Sequence, residues 1–103
     1  MHRMTKLCKI HPLVREAVFQ RDRERCIICG SNQGLPNAHY IPRSHGCLGV
    51  EENIVTLCPK CHHEYDNGNY RKEYGILIRN YLKSKYADWD ETKLIFSKWR
   101  KYE

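Results

Sequence analysis

Cysteine and histidine are the side chains best suited to hold a metal or move a proton, and most of the six cysteines and six histidines of this 103-residue chain fall between positions 26 and 63. Four cysteines form two Cys-x-x-Cys pairs, Cys26 with Cys29 and Cys58 with Cys61, separated by an insert of 28 residues. Two such knuckles offer four thiolates, the donor set of a tetrahedral zinc site with Zn–S distances of about 2.3 Å. The insert is longer than the roughly 15 to 20 residues of a zinc ribbon, so it must fold into something of its own. A disulfide framework would need an oxidising compartment and a redox dithiol a βαβ setting, and the sequence shows neither. One structural zinc held by Cys26, Cys29, Cys58 and Cys61 is therefore expected, with Cys8 and Cys47 as ordinary thiols.

The insert and the residues that follow it carry the other candidates. His39 lies in the alternation Ala38-His39-Tyr40-Ile41, which predicts a strand closed by Pro42, and Asn53-Ile54-Val55-Thr56-Leu57 predicts a second strand running into the second knuckle. Pro59 stands where a helix can start, Cys61 to Asp66 can make about two turns, and Asn67-Gly68 should stop them. On that helix His62 and Asp66 are i and i+4 and share a face. His63 points about 100° away from His62, so one ion would take one or the other.

These residues resemble the HNH endonucleases, whose ββα-metal fold is a two-stranded hairpin and a helix gripping a catalytic metal. The first histidine is His39 in Ala38-His39-Tyr40-Ile41-Pro42-Arg43-Ser44. The asparagine is Asn53 in Glu52-Asn53-Ile54-Val55-Thr56-Leu57-Cys58, and the last histidine is His62 in Cys58-Pro59-Lys60-Cys61-His62. The similarity covers roughly residues 13 to 68 and is strongest to the small phage and mobile-element type with a structural zinc beside the active site. In one departure, Ala38 stands where many members carry Asp, Glu or His as a metal ligand.

The resemblance implies a metal-dependent hydrolase that nicks or cuts DNA, leaving 5′-phosphate and 3′-hydroxyl ends. His39 would be the general base, since imidazole titrates near neutrality. Asn53 would orient His39 or support the metal. His62 and Asp66, with His63 as the rival, would hold a catalytic divalent ion, magnesium, manganese, nickel or zinc, whose shell phosphate and water complete. Arg43 and Ser44, with His45 a weaker candidate, would meet the DNA backbone. Two alternatives stand beside the nuclease: a non-catalytic zinc module that binds nucleic acid, and a protein-interaction zinc domain. Neither calls for His39, Asn53 and His62 together.

The elements around the site follow from the rest of the chain. Its size suits one small zinc-stabilised α+β domain over residues 13–103, preceded by a flexible basic arm at 1–12. The ββα-metal core would span about 26–68 and C-terminal helices about 69–102. Pro12 should open a helix whose face of Leu13, Val14, Ala17 and Val18 packs inward, leaving Arg15, Arg21, Arg23 and Arg25 on other faces where they could meet DNA backbone. A helix from about 70 to 86 should pack Tyr70, Tyr74, Leu77, Tyr81 and Leu82. A last helix capped by Asp90 should align Ile95, Trp99 and Tyr102. The net charge of +6 is divided as +4 over residues 1–25, −2 over 26–70 and +4 over 71–103. Basic flanks around an acidic centre suit a polyanion held over a cation site. No apolar run in residues 1–25 has secretory or transmembrane length, so a cytoplasmic location and no membrane are expected, and the resemblance implies DNA as partner and, for a phage or mobile-element protein, the cytoplasm of a bacterial host.

Overall fold

The structure, a computed structural model, describes residues 9–41 and 49–94. Pro12 opens α1 (Pro12–Arg21), and His11 caps it by accepting the Leu13 N–H on Nδ1 at 3.1 Å. The expected arm falls largely outside the described residues, but Ile10 is buried against Val18 and Ile54. The apolar face of α1 is narrower than its spacing predicts. Val18 is fully buried and Val14 half-buried, whereas Ala17 is exposed and Leu13 is 71% exposed, because only the C-terminal half of α1 lies against the sheet.

Two antiparallel strands follow, β1 (Leu35–His39) and β2 (Ile54–Leu57), with Leu35 opposite Leu57, Ala38 opposite Val55 and His39 opposite Ile54. The register slips by one residue between Leu35 and Ala38, the mark of a bulge at Pro36-Asn37, where proline cannot donate to the ladder. The first strand thus begins earlier than expected and ends at His39 rather than Ile41. Asn53 belongs to a short 3-10 turn, Glu51–Asn53, that precedes β2 instead of to the strand itself. Pairing still continues one step past β1, since the Tyr40 N–H donates to the Asn53 carbonyl at 2.8 Å.

Helix α2 (Pro59–Asn67) starts at the proline and stops at Gly68, as expected. A Cβ on Gly68 would come within 2.8 Å of the Glu64 backbone, so the stop depends on glycine. In α3 (Arg71–Lys85) the buried residues are Ile78 and Leu82, with Tyr74 and Tyr81 beside them. Leu77 is exposed instead, because the contacting face is turned one residue from the predicted stripe. Asp90 caps the closing turn Glu91–Leu94, its Oδ1 accepting from the N–H and hydroxyl of Thr92. Ile95, Trp99 and Tyr102 lie outside the described residues, as do Cys8 and Cys47.

The main core gathers Ala38, Val55 and Leu57 from the sheet, Cys61 and Tyr65 from α2, and Ile78 and Leu82 from α3, around Cys26 and Cys58. The result is a small mixed domain of helices and a two-stranded sheet with a four-cysteine cluster at one edge of its core. No described helix is long and apolar enough to cross a membrane.

Candidate metal centre and active site

The first knuckle is shaped by backbone hydrogen bonds. The Cys26 N–H donates to the Ser31 carbonyl at 3.0 Å, and the Cys26 carbonyl accepts from Gly30 at 2.9 Å, with Gly30 at a φ of +76° that glycine adopts readily. The Ile27 N–H donates to the Thr56 carbonyl at 3.0 Å and so docks the knuckle on β2. Gly34 makes this approach possible: a Cβ there would sit 2.7 Å from both the Cys26 nitrogen and Thr56 Cγ2. Cys58 supplies the second knuckle as the N-cap of α2, its Sγ accepting from the Cys61 N–H at 3.5 Å.

The four Sγ atoms of Cys26, Cys29, Cys58 and Cys61 all lie within 4.8 Å of one another, and those of Cys29 and Cys58 are 3.6 Å apart. A tetrahedron with Zn–S bonds of about 2.3 Å has edges of about 3.8 Å, whereas a disulfide would need about 2.05 Å. Burial works to raise the Cys26 thiol, yet the N–H groups of Cys29, Cys58 and Ile28 outweigh it and bring the group down to about 7. Burial pushes the Cys61 thiol up, reinforced by Cys58 and Cys26. Thiols packed this closely cannot all ionise without a cation among them. The four cysteines could therefore bind one zinc ion.

His39 is the last residue of β1, half-buried, at the end of the hairpin away from Leu35. Ala38 points the other way and is fully buried beside Val55, so the position before His39 is occupied by core packing. Asn53 is also fully buried. Its Oδ1 accepts from the Ile41 N–H at 2.8 Å and its Nδ2 reaches the Ile41 carbonyl at 3.5 Å. Asn53 thus holds the chain just beyond His39 through the backbone. On α2, His62 Nε2 and Asp66 Oδ2 are 3.0 Å apart, with side chains 28% and 44% exposed, as their i, i+4 spacing predicts. His63 is exposed on another side of the helix. Arg43, Ser44 and His45 lie outside the described residues.

Two features escaped the sequence. The hydroxyl of Tyr65, buried on α2, donates to the Tyr40 carbonyl at 2.7 Å and ties the helix of His62 to the residue after His39. Its position four residues after Cys61, on the buried face of α2, was the available signal. Arg21, expected among the outward cations, turns inward. It pairs with Asp22 at 2.7 Å and donates to the carbonyls of Glu51 and Ile54 and to the Tyr86 hydroxyl. Among the described residues the four cysteines are the one group of three or more ligating side chains arranged to hold an ion.

No protein-family model matches the chain. It is similar to the type IV methyl-directed restriction enzyme EcoKMcrA of Escherichia coli (strain K12), 32% identical over 82 residues, which cover 71% of this chain and 30% of the enzyme. The chain thus spans less than a third of that enzyme's length. It is also similar to anaredoxin of Nostoc sp. (strain PCC 7120 / SAG 25.82 / UTEX 2576), 31% identical over 62 residues, which cover 59% of this chain and 82% of anaredoxin.

Proposed function

The chain belongs to the same family as anaredoxin, and from its site geometry together with its similarity to a restriction enzyme we propose that it is a metal-dependent HNH endonuclease acting on DNA. The observation that carries this is the clamp between hairpin and helix. Tyr65 on α2 holds Tyr40 and so ties the end of β1 that bears His39 to the helix that bears His62 and Asp66, while Asn53 holds Ile41 to the turn before β2. This tie supports reading the two strands and α2 as a ββα-metal core, which the four-thiolate zinc would staple without an open coordination position for substrate.

In the proposed reaction neutral His39 takes a proton from a water molecule as that water attacks phosphorus. The P–O3′ bond breaks, the released O3′ takes a proton from solvent, and the products are a 5′-phosphate and a 3′-hydroxyl. Asn53 keeps His39 in place through the Ile41 backbone rather than by touching substrate. His62 and Asp66, paired at 3.0 Å on one face of α2, would hold a divalent ion. Such an ion, when bound, supplies positive charge against the phosphorane and the leaving oxygen. Arg43 and Ser44, with His45 as a further candidate, would meet phosphate oxygens.

A non-catalytic zinc module that binds nucleic acid is the second reading, favoured by the burial of Ala38 and by a second site with two protein ligands. A plasmid-nicking assay separates the two. Wild-type protein should nick after addition of magnesium, manganese or nickel, His39→Ala should be slower by about 10²- to 10⁴-fold, and His62→Ala, unlike His63→Ala, should abolish metal rescue. Equal rates for wild type and His39→Ala would exclude the general base.

A further inference from the structure

Between the end of β1 and the outer side of α3 lies a hollow of about 620 Å³ whose lining includes Tyr40, Ile41, Tyr65, Arg71, Lys72 and Arg79. It contains none of the zinc or hydrolytic residues and begins one residue past His39. Three of its lining residues are cations and none is acidic. The Arg71 guanidinium lies over the Tyr65 ring at 5.1 Å and donates to the Tyr65 carbonyl at 3.3 Å, so its charge is held at the rim. Ile76, 55% exposed, gives the hollow an apolar wall between Lys72 and Arg79. Lys72, Ile76 and Arg79 are spaced i, i+4, i+7 on α3 and share one face, the two cations being about 10 Å apart along the axis.

The charge pattern changes at Arg79. A neighbouring hollow shares Arg79 with it but is lined by Lys83 and by Asp88, Asp90 and Glu91, and Arg79 Nε pairs with Glu91 at 3.1 Å. The three carboxylates of the second hollow would oppose a polyanion there, which would give the site a defined end.

We propose that the hollow along α3 binds a single unpaired nucleic-acid strand, with phosphates at Arg71, Lys72 and Arg79 and a base against Tyr40 and Ile76. Cationic rims over aromatic and apolar floors are how single strands are held. In a duplex the bases are stacked inside and could not reach that floor, and an acidic peptide offers it no planar ring. The strand's delivery to His39 rests on the nuclease assignment, while the binding does not.

The test is fluorescence anisotropy with a labelled single strand of about 12 nucleotides, its duplex and polyglutamate, using full-length zinc-loaded His39→Ala protein so that nothing is cut. In that background, Arg71→Gln with Lys72→Gln and Arg79→Gln should weaken single-strand binding at least about tenfold and flatten its salt dependence by about 2 in log–log slope. Lys72→Glu and Ile76→Glu, both at exposed positions, should weaken it with an unchanged circular dichroism spectrum. Unchanged affinity in those two variants, preference for duplex, or equal binding of polyglutamate would overturn the proposal. Nicking is read separately in proteins that keep His39. Groove-dependent binding with no nicking under any metal would sink the nuclease and support the groove, whereas wild-type nicking and affinity in the groove variants would do the reverse.

Discussion

Asn53 makes its hydrogen bonds to the backbone of Ile41, two residues past His39, from a position with no solvent exposure. Asn53→Ala would remove the acceptor of the Ile41 N–H, a loss of about 1–3 kcal/mol when the donor stays buried. It would also release the chain that carries the proposed base. Stability and nicking rate should fall together, and Asn53→Asp, which keeps an acceptor for that N–H, should recover part of both. Thermal melting beside the nicking assay checks this, and an Asn53→Ala protein with unchanged melting and rate would remove the positioning role. The sequence pointed to Asn53 through its place in the motif but not to its partner. That partner depends on the one-residue slip at Pro36-Asn37 and on a 3-10 turn in place of the first residue of the expected strand. The pairing of His62 with Asp66 on one face was legible because it is internal to one helix.

Helix α1 is joined to the rest of the domain by charge as much as by apolar contact. The Arg21 side chain is 13% exposed and that of Asp22 not at all, and their pair reaches β2, the Glu51–Asn53 turn and α3. The Thr56 N–H and the Tyr81 hydroxyl both donate to Asp22, while Tyr86 links Arg21 to the Glu51 carboxylate. Burial opposes the Arg21 charge, but Asp22 and Tyr86 outweigh that and raise its pKa. Burial, followed by Asp22, pushes the Tyr81 hydroxyl up to about 12, so it remains a donor across the physiological range. Arg21→Ala would leave the Asp22 carboxylate in the interior without its cation, and removing one partner of a buried pair costs about 3–5 kcal/mol. Chemical denaturation should show a loss of that order, against a small effect for Arg15→Ala on the exposed side of α1. A loss below about 1 kcal/mol would mean that water replaces the pair. Helical spacing gives the direction of Arg21 on its own helix, but the carbonyls that receive it lie about 30 residues away in sequence. The same limit explains the shift from Leu77 to Ile78 on α3, because the exact contact face is set by Tyr65 and the sheet.

At the scale of the molecule, the sheet has only two strands and the core is small, so much of the stability must come from the joint between the Cys26 turn and the start of α2. Metal-binding free energy in so small a domain is also folding free energy. The four-cysteine cluster holds together the Cys26 turn, docked on β2 through Ile27, and the start of α2, which carries His62 and Asp66. Two kinds of metal loss should therefore look different. Mild chelation should remove an ion from the two-ligand site at His62 and Asp66, stopping nicking while the circular dichroism spectrum and about one tightly held zinc per chain remain. Strong chelation, or Cys58→Ala, should release the zinc and unfold the domain, taking single-strand binding with it. Zinc content by metal analysis, read beside the spectrum across a chelator titration, distinguishes the two losses. A Cys58→Ala protein that stays folded without zinc would show that the helices and the Arg21–Asp22 pair suffice to hold the domain. Nicking that ends only when the zinc leaves would remove the case for a second ion.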